Sequence, residues 1–423
     1  MRFTKPKKVI GLDIGSHSVK AVQMSRSGGK LNVEKAGYAA VDRNQVNVDP
    51  VAAQANALRE AVRKMAVPQS LIVGALPGQA VVIRYPRFRN VEMADLDQSV
   101  QAEAGQNIPY DLSEVFMDWS LLEEESEGEE SQLKVLLVAT KHEVIDSRVQ
   151  IADSADIEYG VLSVDSLALA DAAEGCDYLR VGETVALINI GANAVSIHFT
   201  KDGVSNFIRD VNWGARELIQ AIAKSRRCEF EEAERTLLGA QQEIEAESSA
   251  VADEEAEVEE VEEIEIVETA PVEESSPADA LGGGLLDPLD DELDVLGSSD
   301  PPPAPAMPAA PSAGGDADSG SLEDILTAPI SRLVSEIRRS FDYYEHQLYE
   351  RPVERIILSG GAAHLSQIRS ALGEDLGVSD VVVANPTDSA LSVARNTGSE
   401  EFEQHPAQFM VAVGLAARGT ADI

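Results

Sequence analysis

Six residues near the start, Asp13-Ile14-Gly15-Ser16-His17-Ser18, interrupt two apolar runs and gather residue types that handle phosphate. A glycine turn between two strands points successive backbone N–H groups outward, and without a Cβ an oxyanion can approach them closely. Ser16 and Ser18 can add hydroxyl donors, and Lys20, just past the turn, can add a charge to a phosphate oxygen. Asp13, at the strand end, suits a Mg2+ ion that keeps several of its waters. An ordinary hairpin turn would use the same residues, with His17 facing solvent.

The pattern occurs twice. Residues 184–198, TVALINIGANAVSIH, overlay on the first motif at a shift of 176, placing Asn189 on Asp13 and Gly191 on Gly15. In both copies a third strand follows after a turn, which suggests duplicated halves. Two such hairpins facing one another can clamp a polyphosphate. A third motif, Leu358-Ser359-Gly360-Gly361, reads as a strand turning into a helix. Its glycines admit a flat group close to the backbone, and the helix start favours negative charge.

Strands are expected at 8–14, 18–24 and 31–41, and a helix at 50–66. Residues 70–150 alternate strands (SLIVGALPG, AVVIRYPRF), a helix stopped by Pro109 and a hairpin with an acidic tip at 123–130. Helices follow at 141–155 and 164–173, strands at 184–198 and 203–210, and helices at 214–225 and 229–240. A long helix is expected over 321–349, with Phe341, Tyr344 and Leu348 on its core-facing stripe, then a strand at 353–358 and a last helix at 406–417. Trp119 and Trp213 read as packing residues.

The formal net charge is −40, yet residues 241–320 hold 24 acidic residues and no Lys or Arg, leaving about −16 elsewhere. So acidic a chain repels nucleic acid and anionic membrane surfaces. Nine of the 19 prolines also fall in 241–320, so this segment is expected to be a disordered insertion, with LLDPLDDELDVL (285–296) as a candidate docking stretch. Cys176 and Cys228 alone give neither a disulfide framework nor a metal site. The basic start MRFTKPKK precedes too short an apolar run for a signal peptide, and no stretch of 18 apolar residues occurs. No direct membrane insertion is expected; work at a membrane would need another protein as anchor.

The order hairpin, hairpin, Leu-Ser-Gly-Gly resembles the actin, Hsp70 and sugar kinase superfamily. VIGLDIGSHSVKAVQM, EAGQNIPYDLSEVFMDW, RELIQAIA with EEAERTL, EIRRSFDYYEHQ, IILSGGAAHLSQI, Ala384-Asn385-Pro386 and VAVGLAARG are similar to one branch, the PilM family of type IV pilus assembly proteins, close to FtsA. The resemblance spans nearly the whole chain except 241–320, which is foreign to the family's usual pattern.

That resemblance implies an α/β, actin-like fold: two RNase-H-like domains around a nucleotide cleft, with an extra 1C-type subdomain. Domain 1 would hold 1–70 (1A) and 156–183, with 1C inserted at 71–155. Domain 2 would hold 184–240 and 321–400, and 401–423 would return to domain 1. ATP and Mg2+ would sit in the cleft. Asp13, Gly15, Ser16, His17, Ser18 and Lys20 match the first phosphate motif, with Asp13 toward the metal. Asn189, Gly191, Ala192 and Asn193 match the second motif, and Gly360 and Gly361 the adenosine motif. Glu336, Arg339 and Ser340, and more remotely Glu234, match positions that in relatives touch base or ribose.

One position departs from the superfamily: Asn189 stands where an Asp is usual. An amide carries no charge and cannot act as a base, so turnover should be slow or absent while binding persists. The resemblance implies a cytoplasmic ATP-binding adaptor that holds the N-terminal tail of a PilN-type inner-membrane protein between domain 1 and 1C. Ring or other homo-oligomer formation is expected, and the resemblance also implies contacts with other pilus assembly proteins and the assembly ATPase. The alternatives are a sugar-kinase-like phosphotransferase and an FtsA-like filament former; the ending ARGTADI is not a basic amphipathic membrane helix.

Overall fold

The computed structural model describes residues 8–127, 130–239 and 321–421. The segment 241–320, its stretch 285–296 and the basic start lie outside the described residues.

The duplicated motif folds into two sheets of matching plan. In the first, β1 (Lys8–Ile14), β2 (Ser18–Ser27) and β3 (Lys30–Ala40) run antiparallel in sequence. β4 (Ser70–Leu76) then joins β1 in parallel and β9 (Val161–Val164) joins β4. In the second, β10 (Thr184–Ile190), β11 (Val195–Lys201) and β12 (Val204–Val211) repeat the meander, and β13 (Arg355–Ser359) pairs with β10 in parallel, followed by β14 (Asp380–Val383). The shift of 176 is kept in register: Asp13 faces Lys20 across the first hairpin, and Asn189 faces Ser196 across the second. The short β15 (Ser392–Val393) pairs with β3, so the chain re-enters the first sheet before its end.

Between β1 and the surface lie two covering helices. α2 (Pro50–Val62) starts on Asp49, whose side chain accepts from the Ala52 amide, with Pro50 supplying a helical φ at the first position. α1 (Arg43–Val46) precedes it on the same rim. On the other face α5 (Asp165–Gly175) packs on α11 (Met410–Thr420) so tightly that a Cβ on Gly414 would lie 1.7 Å from the Ala168 carbonyl oxygen. α11 is apolar and buried from Met410 to Ala417, as a helix sandwiched inside a core must be, and Arg418 in its last turn pairs with Asp171. The short α10 (Glu400–Gln404) leads into it.

The second sheet is covered by α6 (Arg216–Arg226), a helix over 230–239 (α7), α8 (Leu322–Asp342) and α9 (Ser366–Leu376). α8 opens with a reciprocal capping box between Ser321 and Asp324. The expected helix to 349 ends at Asp342 instead, in a π-helical turn over Tyr343–Gln347. The wider turn rotates the face: Phe341 and Tyr344 are buried, whereas Leu348 is 38% exposed and leaves the stripe.

A third, smaller sheet lies between β4 and α4 (His142–Ser154) in the sequence. β5 (Val81–Arg84) and β6 (Arg87–Arg89) pair with one side of β8 (Glu130–Lys141), and β7 (Val115–Glu127) with the other. The single strand expected over 80–88 breaks at Pro86, which has no N–H to give the ladder; its carbonyl takes the Val135 amide at 3.0 Å. α3 (Leu96–Asn107) closes this sheet's core through Leu96, Val100 and Ala104. Trp119 bonds Asp97 through Nε1 at 3.0 Å, and Trp213 is buried in the second sheet's core.

Buried polar groups tie the small sheet to the second lobe. The Tyr85 hydroxyl lies 2.7 Å from Ser205 Oγ, which lies 2.8 Å from His198 Nε2, and His198 Nδ1 bonds the Ser166 carbonyl at 2.9 Å. Asn206 Nδ2 donates to the Tyr344 hydroxyl at 2.9 Å and its Oδ1 receives the Lys134 ammonium. Lys201 and Arg87 both pair with Glu350, at 2.8 and 3.3 Å.

Candidate functional site

The two glycine turns face each other across the lobes. Asn193 Nδ2 donates to Ser16 Oγ at 2.9 Å. Each turn is closed by its glycine amide, Gly15 to the Ser18 carbonyl at 3.1 Å and Gly191 to the Ala194 carbonyl at 2.9 Å. Those bonds leave over the amides of Ser16, His17, Ala192 and Asn193, which have no acceptor among the described residues. The first turn is braced from outside by Gln54 on the Gly15 carbonyl and Arg148 on the Ile14 carbonyl, at 3.3 and 3.0 Å. In the second turn Ala215 and Arg216 amides bond the Gly191 and Ala192 carbonyls.

Gly360 reaches this site by a close approach. Its φ is +91°, and a Cβ there would lie 2.3 Å from the Ile190 carbonyl oxygen, at the second turn's base. A Cβ on Gly361 would meet nothing within 4 Å, so that side of the strand–helix turn is open. Ser359, one residue earlier, donates to Asn189 Oδ1 at 3.2 Å. The third motif therefore stands against the second.

Other candidates are placed differently. Lys20 Nζ lies 3.5 Å from Asp13 Oδ2, so its charge balances Asp13 within the hairpin. Ser18 is buried at the first position of β2. Glu336 and Arg339 pair with each other at 2.6 Å on the outer face of α8, with no side-chain bond to the turns. Ser340 is fully buried, its hydroxyl bonded to the Glu336 carbonyl of its own helix. Glu234 lies 3.7 Å from His17 Nδ1 and bonds Arg43. Burial lowers the His17 pKa, against the Glu234 charge that raises it and with Lys20 and Arg43 that lower it further. His17 is therefore neutral at neutral pH.

The sequence reading missed two carboxylates at the base of the cleft. Asp165, the first residue of α5, accepts from the Gly78 amide at 2.9 Å and the Ser166 amide at 2.6 Å. Asp210, on β12, comes so close that a Cβ on Gly78 would lie 2.4 Å from its Oδ2 and 3.0 Å from Asp165 Oδ1. Burial, then the Asp210 and Asp13 charges, push the Asp165 carboxyl up to about 7. Burial also raises Asp210, against the Ser196 hydroxyl opposite it on β11. No spacing rule finds this pair, because its members come from different lobes; the nearest signal was the lone acid at each strand end.

These residues fit a hydrated divalent cation and a polyphosphate. Among the described residues no three acidic, His or Cys side chains are set to hold a bare metal. Asp13 with Asp165 and Asp210 behind it instead suits an ion that keeps its water shell. Ser166 Oγ is buried with no partner among the described residues, the kind of donor a bound water or oxyanion would satisfy. The left-over turn amides supply the anion's donors without added charge.

A family model described as type IV pilus assembly protein PilM matches residues 11–250 and 315–420. The chain belongs to the PilM family. Among solved structures, a chain of a "PilM-PilN type IV pilus biogenesis complex" is similar over 98% of this chain and 99% of that one, at 19% identity and a TM-score of 0.69. The fold is therefore actin-like, two lobes around a cleft with an inserted small sheet. The ethanolamine utilisation protein EutJ from Carboxydothermus hydrogenoformans is more distant, at 12% identity over 98% of this chain and 90% of that one, TM-score 0.47. MreB 5 of Spiroplasma citri bound to AMPPNP is at 10% identity over 97% and 95%, TM-score 0.43. No helix among the described residues of this PilM-family chain is long and apolar enough to cross a membrane.

Proposed function

We propose that this PilM-family chain is an ATP-binding adaptor of a type IV pilus or related secretion platform. It holds Mg2+ and ATP between its lobes and recognises the N-terminal cytoplasmic tail of a PilN-type inner-membrane protein. The observation that carries the nucleotide part is the contact of the two glycine turns, Asn193 to Ser16 at 2.9 Å, with Gly360 packed on the second turn. Asp13 faces the hydrated metal; the amides of Ser16, His17, Ala192 and Asn193 take the phosphates; Gly360 and Gly361 lie beneath the adenosine. Asn189 keeps hydrolysis slow. Glu336, Arg339 and Ser340 contribute little to binding, since one is buried and two pair on the surface.

The partner part rests on family membership and on the small sheet. Among the described residues β7 pairs only with β8, and Phe116 on it and Tyr110 and Leu112 just before it are exposed apolar side chains. An extended tail can add to such an edge with its apolar residues against them. The protein would then work in the cytoplasm at the inner face of the inner membrane, held by that partner, in a ring or other homo-oligomer.

Calorimetry with Mg2+ and ATP tests the first part: absence of heat sinks it. Fluorescence anisotropy with a labelled PilN-type tail peptide tests the second, and Phe116→Ser should weaken that binding while leaving nucleotide binding intact. A phosphotransferase reading gains something from Asp165 and Asp210, the carboxylates such chemistry needs; sugar-dependent ADP formation would favour it.

A further inference from the structure

Arg43 crosses from one lobe to the other at the tip of the first turn. It lies two residues after Val41, whose amide bonds the His17 carbonyl at 2.9 Å. Its guanidinium reaches α7 of the second lobe, where Nη2 bonds the Glu234 carboxylate and the plane sits 4.4 Å from the Phe230 ring centroid. Arg216 shares that ring from 5.6 Å. Glu234 in turn lies 3.7 Å from His17. One nitrogen is left over: Arg43 Nη1 is buried and has no acceptor among the described residues.

Two physical points follow. A buried guanidinium N–H without an acceptor is costly, so the site suits an acceptor from outside the described residues, and a bound oxyanion is one. Glu234 beside the turn would also repel a phosphate there, unless Arg43 cancels its charge. A planar guanidinium can do both at once, binding a carboxylate with one edge and a phosphate with the other, while stacked on an aromatic ring.

We propose that Arg43 is a ligand-binding and cleft-closing residue: it bridges the lobes through Glu234 and Phe230, and gives Nη1 to the terminal phosphate of a nucleoside triphosphate. This rests on the nucleotide reading above. We take the ligand class to be a triphosphate rather than a diphosphate because Arg43 stands beside His17 at the tip of the first turn, whose unpartnered amides are assigned to phosphate above.

The test is the dissociation of fluorescent mant-ATP and mant-ADP, each with Mg2+, from the full chain by stopped-flow displacement. In the unmodified protein ATP should leave more slowly than ADP. Arg43→Ala should speed ATP release tenfold or more and ADP release less than threefold, erasing the difference. Adding Glu234→Gln should recover at least threefold of that loss by removing the bare carboxylate. Arg43→Lys, which keeps the charge without the planar fork, should fall between, and it carries the test if the alanine variant fails to fold. Unchanged ATP release in a folded Arg43 variant overturns the assignment alone, as does an equal rise for both nucleotides. If the unmodified chain binds neither nucleotide, the nucleotide reading falls and takes the proposal with it.

Discussion

Asn193 and Ser16, 177 residues apart in the chain, share a 2.9 Å hydrogen bond that joins the two lobes at their glycine turns. The bond is solvent-exposed, so its net worth is at most about 1 kcal/mol. Ser16→Ala and Asn193→Ala should each weaken ATP binding roughly fivefold. The double variant should lose less than the two losses combined, by a coupling of about 1 kcal/mol, because each single change already breaks the shared bond. Full additivity in titration calorimetry would mean that the turns act independently.

Asn189 accepts from Ser359 and carries no charge. Asn189→Asp would keep that bond and place a fourth carboxylate near Asp13, Asp165 and Asp210. Phosphate release from ATP should rise tenfold or more if the missing carboxylate limits turnover. An unchanged rate under saturating ATP would assign the slow step elsewhere.

Gly360 is held at φ +91° with its Cα against the Ile190 backbone. Gly360→Ala adds both left-handed strain and overlap with a carbonyl that cannot rotate away, so destabilisation of about 3 kcal/mol or more is expected. Gly361→Ala meets open space and should cost far less. Urea midpoints at equal m-values separate the two; similar midpoints would show that the β13–β10 approach is looser than described.

His198 titrates in the buried junction between the small sheet and the second lobe. Desolvation lowers its pKa from 6.5 to about 4. The native state therefore excludes a proton that the unfolded chain binds below about 6.5, so His198 costs nothing above that pH and destabilises progressively as pH falls toward 4. The full effect is roughly 3 kcal/mol. Asp165, raised to about 7, acts in the opposite sense, the native state losing stability as pH rises from about 4 to 7. Comparing variants isolates the histidine: His198→Gln should melt lower than the parent at pH 8 but lose less stability between pH 6.5 and 5. Parallel Tm–pH curves would contradict a buried neutral imidazole.

Local pattern carried much of this molecule. The Asp13 and Asn189 hairpins and their shift of 176 were legible because strand alternation and glycine turns are short-range signals, and a duplicated unit keeps its register. The strands at 8–14 and 184–190 and the last helix were readable from their largely apolar runs. Long-range geometry was not. Only folding brings Asp210 of the second lobe beside Asp165 and Gly78, sets Arg43 against Glu234 and Phe230, and turns Leu348 away from the core through a π turn. Sequence spacing constrains neighbours along one element, whereas contacts between lobes depend on how two independently formed cores dock, and no periodicity records that.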